Sequence, residues 1–315
     1  MEKVSSEVRD ISLEDRIRRS CGALLGLACG DAIGTTVEFL PRGSFPLMTD
    51  MVGGGVFKLP VGAWTDDTSL ALCLGASLLD NGFDLEDQMK RYELWYRIGF
   101  FSSTGKCFDI GQTTLEAIEQ FQTTGNPRSG GTGAMTAGNG CITRLAPVVI
   151  RYLYDPHLAL ELCAEQSLTT HAAPECLFSC QIFGEILIRA FQGKSKYEIL
   201  ESLLPDLHLT PRLRGIADGK YKSMEVSKIS SSGYVVDSLE AALFCFWKTS
   251  SFKECVLKAA NLGDDADSVS ALAGQLAGSF YGVEAIPSSW IKKLIMGPEI
   301  SELAEDLARA SWDDR

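Results

Sequence analysis

Apolar residues recur at helical spacing wherever the chain shows a pattern. Leu177, Cys180, Phe183, Leu187 and Phe191 form one such stripe, because residues three or four apart lie on one face of a helix. Segments that alternate strictly between polar and apolar residues, as half-buried strands do, are absent from the sequence. The pattern predicts helices over residues 14–30, 66–80, 84–98, 111–122, 139–153, 157–168, 174–193, 235–248, 252–261, 267–281 and 298–310.

Stripes of this kind are buried by packing helix against helix, so we expect a single compact all-α domain with its helices around one cleft. Gly22, Gly26 and Gly30 recur at every fourth residue of the first predicted helix, which predicts that another helix packs closely against this face. No linker divides the chain. We expect one domain over residues 14–313, preceded by an N-terminal extension over residues 1–13.

Composition and charge exclude several classes of protein. No apolar run reaches the roughly 18 residues of a membrane span and the N-terminus is charged, so we expect neither a span nor a signal peptide. The ten cysteines have no paired spacing, which predicts reduced thiols in a cytoplasmic protein. The net charge of −12, without a long basic run, argues against nucleic-acid binding as the function. Three histidines are too few for a His-rich zinc site.

Two short clusters of oxygen ligands stand far apart in the chain, at residues 65–67 (Thr-Asp-Asp) and 265–268 (Asp-Ala-Asp-Ser). Each cluster opens an apolar segment that is predicted to be a helix. Hard divalent cations bind carboxylate, hydroxyl and carbonyl oxygens, and two adjacent ions need several carboxylates from different elements. The clusters therefore predict one metal site built from two helix N-termini.

The same residue types have a simpler explanation, because Thr, Asp and Ser are preferred helix N-caps and acids suit the first turn of a helix. One side-chain oxygen is enough for a cap, however. Adjacent carboxylates repel one another unless a cation lies between them, which favours the metal site.

Further segments complete a recognisable set. They are Gly30-Asp31-Ala32-Ile33-Gly34 with Glu38, Phe108-Asp109-Ile110-Gly111, Gly138-Asn139-Gly140 running to Arg144-Leu145-Ala146-Pro147, Thr170-His171, and Ser232-Gly233-Tyr234-Val235-Val236-Asp237. In order and spacing these segments and the two acidic clusters resemble the ADP-ribosylglycohydrolase family, from about residue 17 to about residue 292. The resemblance implies an all-α fold with a dinuclear Mg²⁺ or Mn²⁺ centre at the base of a cleft that holds ADP-ribose.

The resemblance also implies roles for individual residues. The metal ligands would be Thr65, Asp66, Asp67, Asp265, Asp267 and Ser268. The substrate would be bound by Gly138, Asn139, Gly140, His171, Gln112 and Tyr234. His171 could equally be a structural histidine and Tyr234 a core aromatic. Gln112 stands where bacterial members commonly have Asn, so this substrate contact can differ.

Two carboxylates remain for proton transfer or for orienting the substrate, and the resemblance leaves the order of Glu38 and Asp109 open. Glu38 follows Gly34 in a predicted loop, so we expect it to be mobile. Asp109 precedes a predicted helix start, so we expect it to be fixed.

The function implied is a metal-dependent hydrolysis of the N-glycosidic bond between ADP-ribose and a modified target, an arginine side chain first of all. The target would be an ADP-ribosylated protein or a small ADP-ribose conjugate, and we expect a monomer. Serine, an O-acyl group or a nucleic-acid end could replace arginine as the leaving group. A non-catalytic member that binds ADP-ribose or has a structural role is the alternative from another class, although both acidic clusters are retained.

Overall fold

The computed structural model describes residues 11–314, and within this range it contains helices and only isolated β-bridges, with no strand. The α-helices are α1 (Leu13–Gly34), α2 (Asp66–Asn81), α3 (Leu85–Ile98), α4 (Gln112–Thr124), α5 (Gly140–Thr143), α6 (Ala146–Tyr152), α7 (Pro156–Ser167), α8 (Pro174–Phe191), α9 (Lys196–Ile199), α10 (Pro211–Ala217), α11 (Val235–Trp247), α12 (Phe252–Ala260), α13 (Ala266–Tyr281), α14 (Ser288–Lys293) and α15 (Gly297–Asp313). The predicted all-α fold is confirmed. Residues 1–10 of the predicted N-terminal extension lie outside the described residues.

Helices α1 and α13 pack antiparallel at the centre of the domain, and their small residues face one another. A Cβ atom added to Gly26 would lie 2.4 Å from the carbonyl oxygen of Gly274, and one added to Gly30 would lie 2.0 Å from that of Ser270. Contact this close leaves no room for a side chain on either helix. The close helix approach predicted from the glycine spacing is confirmed, and it holds the C-terminus of α1 beside the N-terminus of α13.

We expect Gly26→Ala to lower the free energy of unfolding by about 2 kcal/mol or more, because overpacking forces the two helices apart. Alanine is intrinsically the better helix former by about 1 kcal/mol, so a loss can only come from packing. Urea unfolding measures the effect. Gly133→Ala is the matched control, since a Cβ atom there meets nothing within 4 Å. If Gly26→Ala is as stable as the parent, the contact between α1 and α13 is wrong.

The prediction of one continuous helix over residues 139–153 is wrong in one respect, because the helix is interrupted between α5 and α6. Pro147 has no N–H group, so the carbonyl of Thr143 lacks its helical partner. The side chain of Gln275, on α13, donates to this carbonyl, and its amide oxygen accepts from the backbone N–H of Ala146 at 3.0 Å. A residue distant in sequence therefore stabilises the break.

Short helices were also missed. Residues 205–234, where no helix was predicted, contain α10, which begins with Thr210 as N-cap and Pro211 in its first turn. Helices α9 and α14 are similarly short, and a helix of one or two turns offers too few residues for a periodic signal.

Two further observations bear on the sequence predictions. None of the helices of residues 11–314 is long and apolar enough to cross a membrane. The ten cysteines are all free thiols, and nine of them are buried.

Candidate active site

A cavity of about 320 Å³ lies where the loop after α1, the N-termini of α2, α4 and α13 and the loop before α5 converge. It is lined by Glu38, Phe39, Asp66, Asp67, Asp109, Ile110, Gly111, Gln112, Thr113, Thr114, Gly138, Asn139, Gly140, His171, Gly233, Asp265, Asp267 and Ser268. The lining includes six carboxylic acids, and among the described residues no lysine or arginine joins them. All predicted site residues except Thr65 and Tyr234 line this cavity.

The N-terminus of α2 is capped by another helix. Thr65 stands at the N-cap position but makes no side-chain cap hydrogen bond. The fully buried carboxylate of Asp31, on α1, accepts instead from the backbone N–H groups of Thr65 and Thr68 at 2.9 and 3.1 Å. The Thr65 hydroxyl is thus not used as a cap and lies 3.5 Å from Oδ2 of Asp267. Capping therefore does not explain the first cluster.

At the N-terminus of α13, too, the N-cap residue does not cap the helix with its side chain. Asp265 occupies the N-cap position without a side-chain cap hydrogen bond. One N–H of the Asn139 amide donates to Asp265 Oδ2 at 2.5 Å, and the amide also donates to the Ser238 hydroxyl at 2.8 Å. The loop of residues 138–140 is therefore attached directly to the second acidic cluster.

The carboxylates at the base of the cavity are crowded and incompletely partnered. Glu38, Asp265 and Asp267 each bring one oxygen within 4.8 Å of the others, an arrangement that could hold a metal ion. Oδ2 of Asp67, Oδ2 of Asp109 and Oδ1 of Asp267 are buried and have no hydrogen-bond partner. Buried polar atoms normally have partners. A positively charged ligand would partner these carboxylate oxygens and therefore fits this site.

Burial and mutual repulsion raise the pKa values of these groups. Burial, followed by the charge of Asp109, raises the pKa of Glu38 to about 10. Burial raises the pKa of Asp109 to about 7, and the charges of nearby aspartates add to the effect. Burial likewise holds the pKa values of Asp67 and Asp267 well above the usual range. The protein alone therefore does not stabilise its ionised carboxylates, whereas a hard cation among them would.

Glu38 is held more firmly than we expected from the sequence. It is 4% exposed. The next residue, Phe39, donates its backbone N–H to the carbonyl of Asp264 at 2.7 Å, and Asp264 donates in return to the carbonyl of Leu40 at 2.8 Å. The loop after α1 is thus paired through its backbone with the segment that precedes α13. Glu38 is therefore buried beside Asp265 and does not stand on an open loop.

His171 supports the loop of residues 138–140. Cβ atoms added to Gly138 and Gly140 would lie 3.1 and 3.2 Å from the His171 ring, so a larger residue at either position would press against the ring. The Thr170 hydroxyl accepts from Arg144 at 2.8 Å and lies 2.8 Å from Nδ1 of His171. We assign Nδ1 as the acceptor of the Thr170 proton, which leaves the N–H on Nε2. Burial lowers the pKa of His171 to about 4, so the ring is neutral.

The remaining predicted residues take different places. Gln112 lines the cavity, and its amide donates to Glu116 at 2.8 Å. Tyr234 is bridged to Gly138 through the backbone, and its ring lies beneath the Arg212 guanidinium at 5.6 Å, outside the cavity lining. Asp31 stands within the motif of residues 30–34 and Phe39 directly follows the motif residue Glu38, but the sequence suggested no individual role for either residue.

A profile of the ADP-ribosylglycohydrolase family matches residues 12–315. The chain belongs to the ADP-ribosylglycohydrolase family. The resemblance indicated by the motifs is thereby confirmed, and with it the enzyme class, a hydrolase that acts on glycosyl bonds.

Named relatives agree with the family assignment. The chain is 46% identical over 294 residues to the ADP-ribosylarginine hydrolase Tri1 of Serratia proteamaculans (strain 568), covering 93% of this chain and 80% of that protein. It is 34% identical over 289 residues to the ADP-ribosyl-[dinitrogen reductase] glycohydrolase of Rhodospirillum rubrum, covering 89% and 92% of the two chains. A solved ADP-ribosylglycohydrolase-related protein complex is similar in structure, with a TM-score of 0.85, 42% identity and coverage of 95% of this chain and 99% of that one. This similarity supports the helical fold independently of the motifs.

Proposed function

We propose that the protein is a metal-dependent hydrolase that cleaves the N-glycosidic bond between ADP-ribose and an arginine side chain. The observation that carries the proposal is a cavity in which six carboxylic acids converge with no lysine or arginine among the described lining residues, in a chain of this family. The arginine linkage is supported by two relatives named ADP-ribosylarginine hydrolase, at 46% and 44% identity.

The residues present fit two divalent cations, Mg²⁺ or Mn²⁺. Their oxygen donors are of the hard type, and several of these oxygens are buried without partners. The proposed ligands are Thr65, Asp66, Asp67, Asp265, Asp267 and Ser268. When bound, such ions would polarise water and orient the ribose hydroxyls.

The loop of residues 138–140 and His171 are proposed to bind the diphosphate and ribose. The glycines let backbone N–H groups approach an anion closely. The Nε2–H group of the neutral His171 offers a further donor. Gln112 is proposed to contact the substrate from α4, and Tyr234 to stack on it from the edge of the cavity.

Proton transfer is proposed to fall to Asp109. Breaking the N-glycosidic bond develops positive charge on the ribose, which an acidic cavity stabilises. Water must lose a proton and the leaving guanidine must gain one. Asp109 has an unpartnered oxygen in the cavity, whereas Glu38 lies among the proposed metal ligands. We therefore propose that Glu38 helps to hold the metal centre and to orient the substrate.

The test is a panel of ADP-ribose conjugates of defined linkage, each assayed with Mg²⁺ or Mn²⁺ and with a chelator. We expect release of ADP-ribose from the arginine conjugate in the presence of metal and none after chelation. Faster release of ADP-ribose from a serine-linked or O-acyl conjugate, or from a nucleic-acid end, would show that this linkage, and not the arginine linkage, is the target. Binding of ADP-ribose without turnover of any conjugate would indicate a non-catalytic member.

ADP-ribose is expected to raise the melting temperature when Mg²⁺ or Mn²⁺ is present, and less so after chelation. A ligand at one hundred times its Kd stabilises the folded state by about 2.7 kcal/mol, which differential scanning fluorimetry detects readily. Adenine serves as the control ligand, because it lacks the ribose and the diphosphate. Equal stabilisation by adenine, with or without metal, would contradict a site centred on the ribose.

The setting of the reaction is also a proposal. The proposed working form is a monomer. The ten free cysteines support action in the reducing cytoplasm. An ADP-ribosylated protein or a small conjugate would be the partner.

A further inference from the structure

Three phenylalanines form a row at the edge of the cavity. Phe39 lines the cavity directly after Glu38, and Phe108 directly precedes Asp109. Phe57 lies between them, with its ring centroid 6.5 Å from that of Phe39 and 5.4 Å from that of Phe108, both in edge-on geometry. The row therefore borders the two carboxylates that neither acidic cluster contains.

Folding does not account for Phe39. Its side chain is 61% exposed, so it gains little from burial. Its φ of +62° is unfavourable for a bulky residue, whereas glycine or asparagine would tolerate it. Backbone hydrogen bonds to Asp264 maintain this conformation. A strained and exposed aromatic residue beside an active site points to a role in binding.

We propose that Phe39 determines specificity by stacking on the guanidinium group of the target arginine. This inference rests on the proposed arginine linkage. The leaving group must depart beside Asp109, the residue proposed to handle its proton, and the phenylalanine row ends at Phe108, directly before Asp109. A guanidinium is a planar cation that stacks on aromatic faces. A serine or O-acyl linkage presents neither a plane nor a positive charge to the ring.

The chemistry of the reaction indicates which kinetic constant changes. Hydrolysis breaks the bond between the anomeric carbon and the guanidinium nitrogen, and the electron pair leaves with nitrogen. Water supplies the hydroxyl to carbon, and its other proton ends on nitrogen. Because the guanidinium loses positive charge as the bond breaks, stacking favours the bound substrate at least as much as the transition state. Losing the ring should therefore raise KM and leave kcat nearly unchanged.

The test compares variants of Phe39 on two substrates, ADP-ribosylarginine as a small molecule and O-acyl-ADP-ribose. We expect Phe39→Leu to raise KM for the arginine conjugate by about two- to fivefold, the range of exposed cation–π contacts. KM for the O-acyl conjugate should not change. Phe39→Tyr, which keeps the ring, should match the parent. Val56→Ala is the matched control, because Val56 is 58% exposed on the same loop and does not line the cavity.

Other outcomes overturn the inference. An equal rise in KM for both conjugates would make Phe39 a structural residue. A rise only with an ADP-ribosylated protein would assign the ring to the polypeptide and not to the guanidinium. Phe39→Asn, which removes the ring but tolerates the positive φ, decides the matter if the Leu variant does not fold. If the parent protein cleaves no arginine conjugate, the proposed function fails. If the parent cleaves it and both Phe39→Leu and Phe39→Asn keep the parental KM for this conjugate, only this inference fails.

Discussion

Replacing Asp267 by Asn is expected to abolish metal binding and to lower turnover by roughly 10³-fold, because the proposed centre loses a carboxylate ligand. In metal-free protein the same change should raise stability by about 1 kcal/mol, because a neutral amide replaces a carboxyl group whose ionisation is unfavourable in the buried, crowded cluster. Elemental analysis of the purified protein and thermal unfolding in a chelator measure the two effects. Opposite signs for function and stability distinguish a ligand from a core contact.

Asp264→Asn is the matched control for this experiment. Asp264 has a φ of +57°, which asparagine tolerates, and its carboxylate accepts from the Ser231 hydroxyl at 3.2 Å without lining the cavity. The control should keep its metal and its activity. If Asp267→Asn also keeps both, the metal site proposed from the two clusters is wrong.

Asp109→Asn is expected to lower kcat by about 10²- to 10⁴-fold, the range of general acid–base catalysis, with metal content preserved. Glu38→Gln should instead lower metal content, because Glu38 places an oxygen within 4.8 Å of oxygens of Asp265 and Asp267. Its effect on turnover should depend on the linkage tested. Steady-state kinetics on the arginine conjugate, with metal analysis of each variant, separate the two roles.

The contrary result would be equally clear. An Asp109→Asn variant that hydrolyses the arginine conjugate at the parental rate, beside an inactive Glu38→Gln variant with full metal content, would reverse the roles. Glu38 would then handle the proton, and Asp109 would only orient the substrate.

The helical fold and the convergence of the two acidic clusters were predictable because both depend on local chemistry. Apolar periodicity is a property of neighbouring residues, and it predicted the long helices such as α8 and α13. The glycines of α1 indicated a close partner, although not which helix it was. Adjacent carboxylates at two helix starts indicated a cation because repulsion between them requires one.

What only the tertiary structure decided is how those groups are held, because hydrogen bonds between distant segments leave no periodic trace in the sequence. Asp31 caps α2 from α1 and leaves Thr65 uncommitted, and Gln275 stabilises the break before α6. The pairing of Phe39 with Asp264 buries Glu38 among the carboxylates, where the sequence predicted a mobile loop. The sequence by itself therefore determined most of the residues that line the cavity. Long-range packing determined which of them are free to act, since a side chain committed to a cap or to the core has no oxygen left for a metal or a substrate.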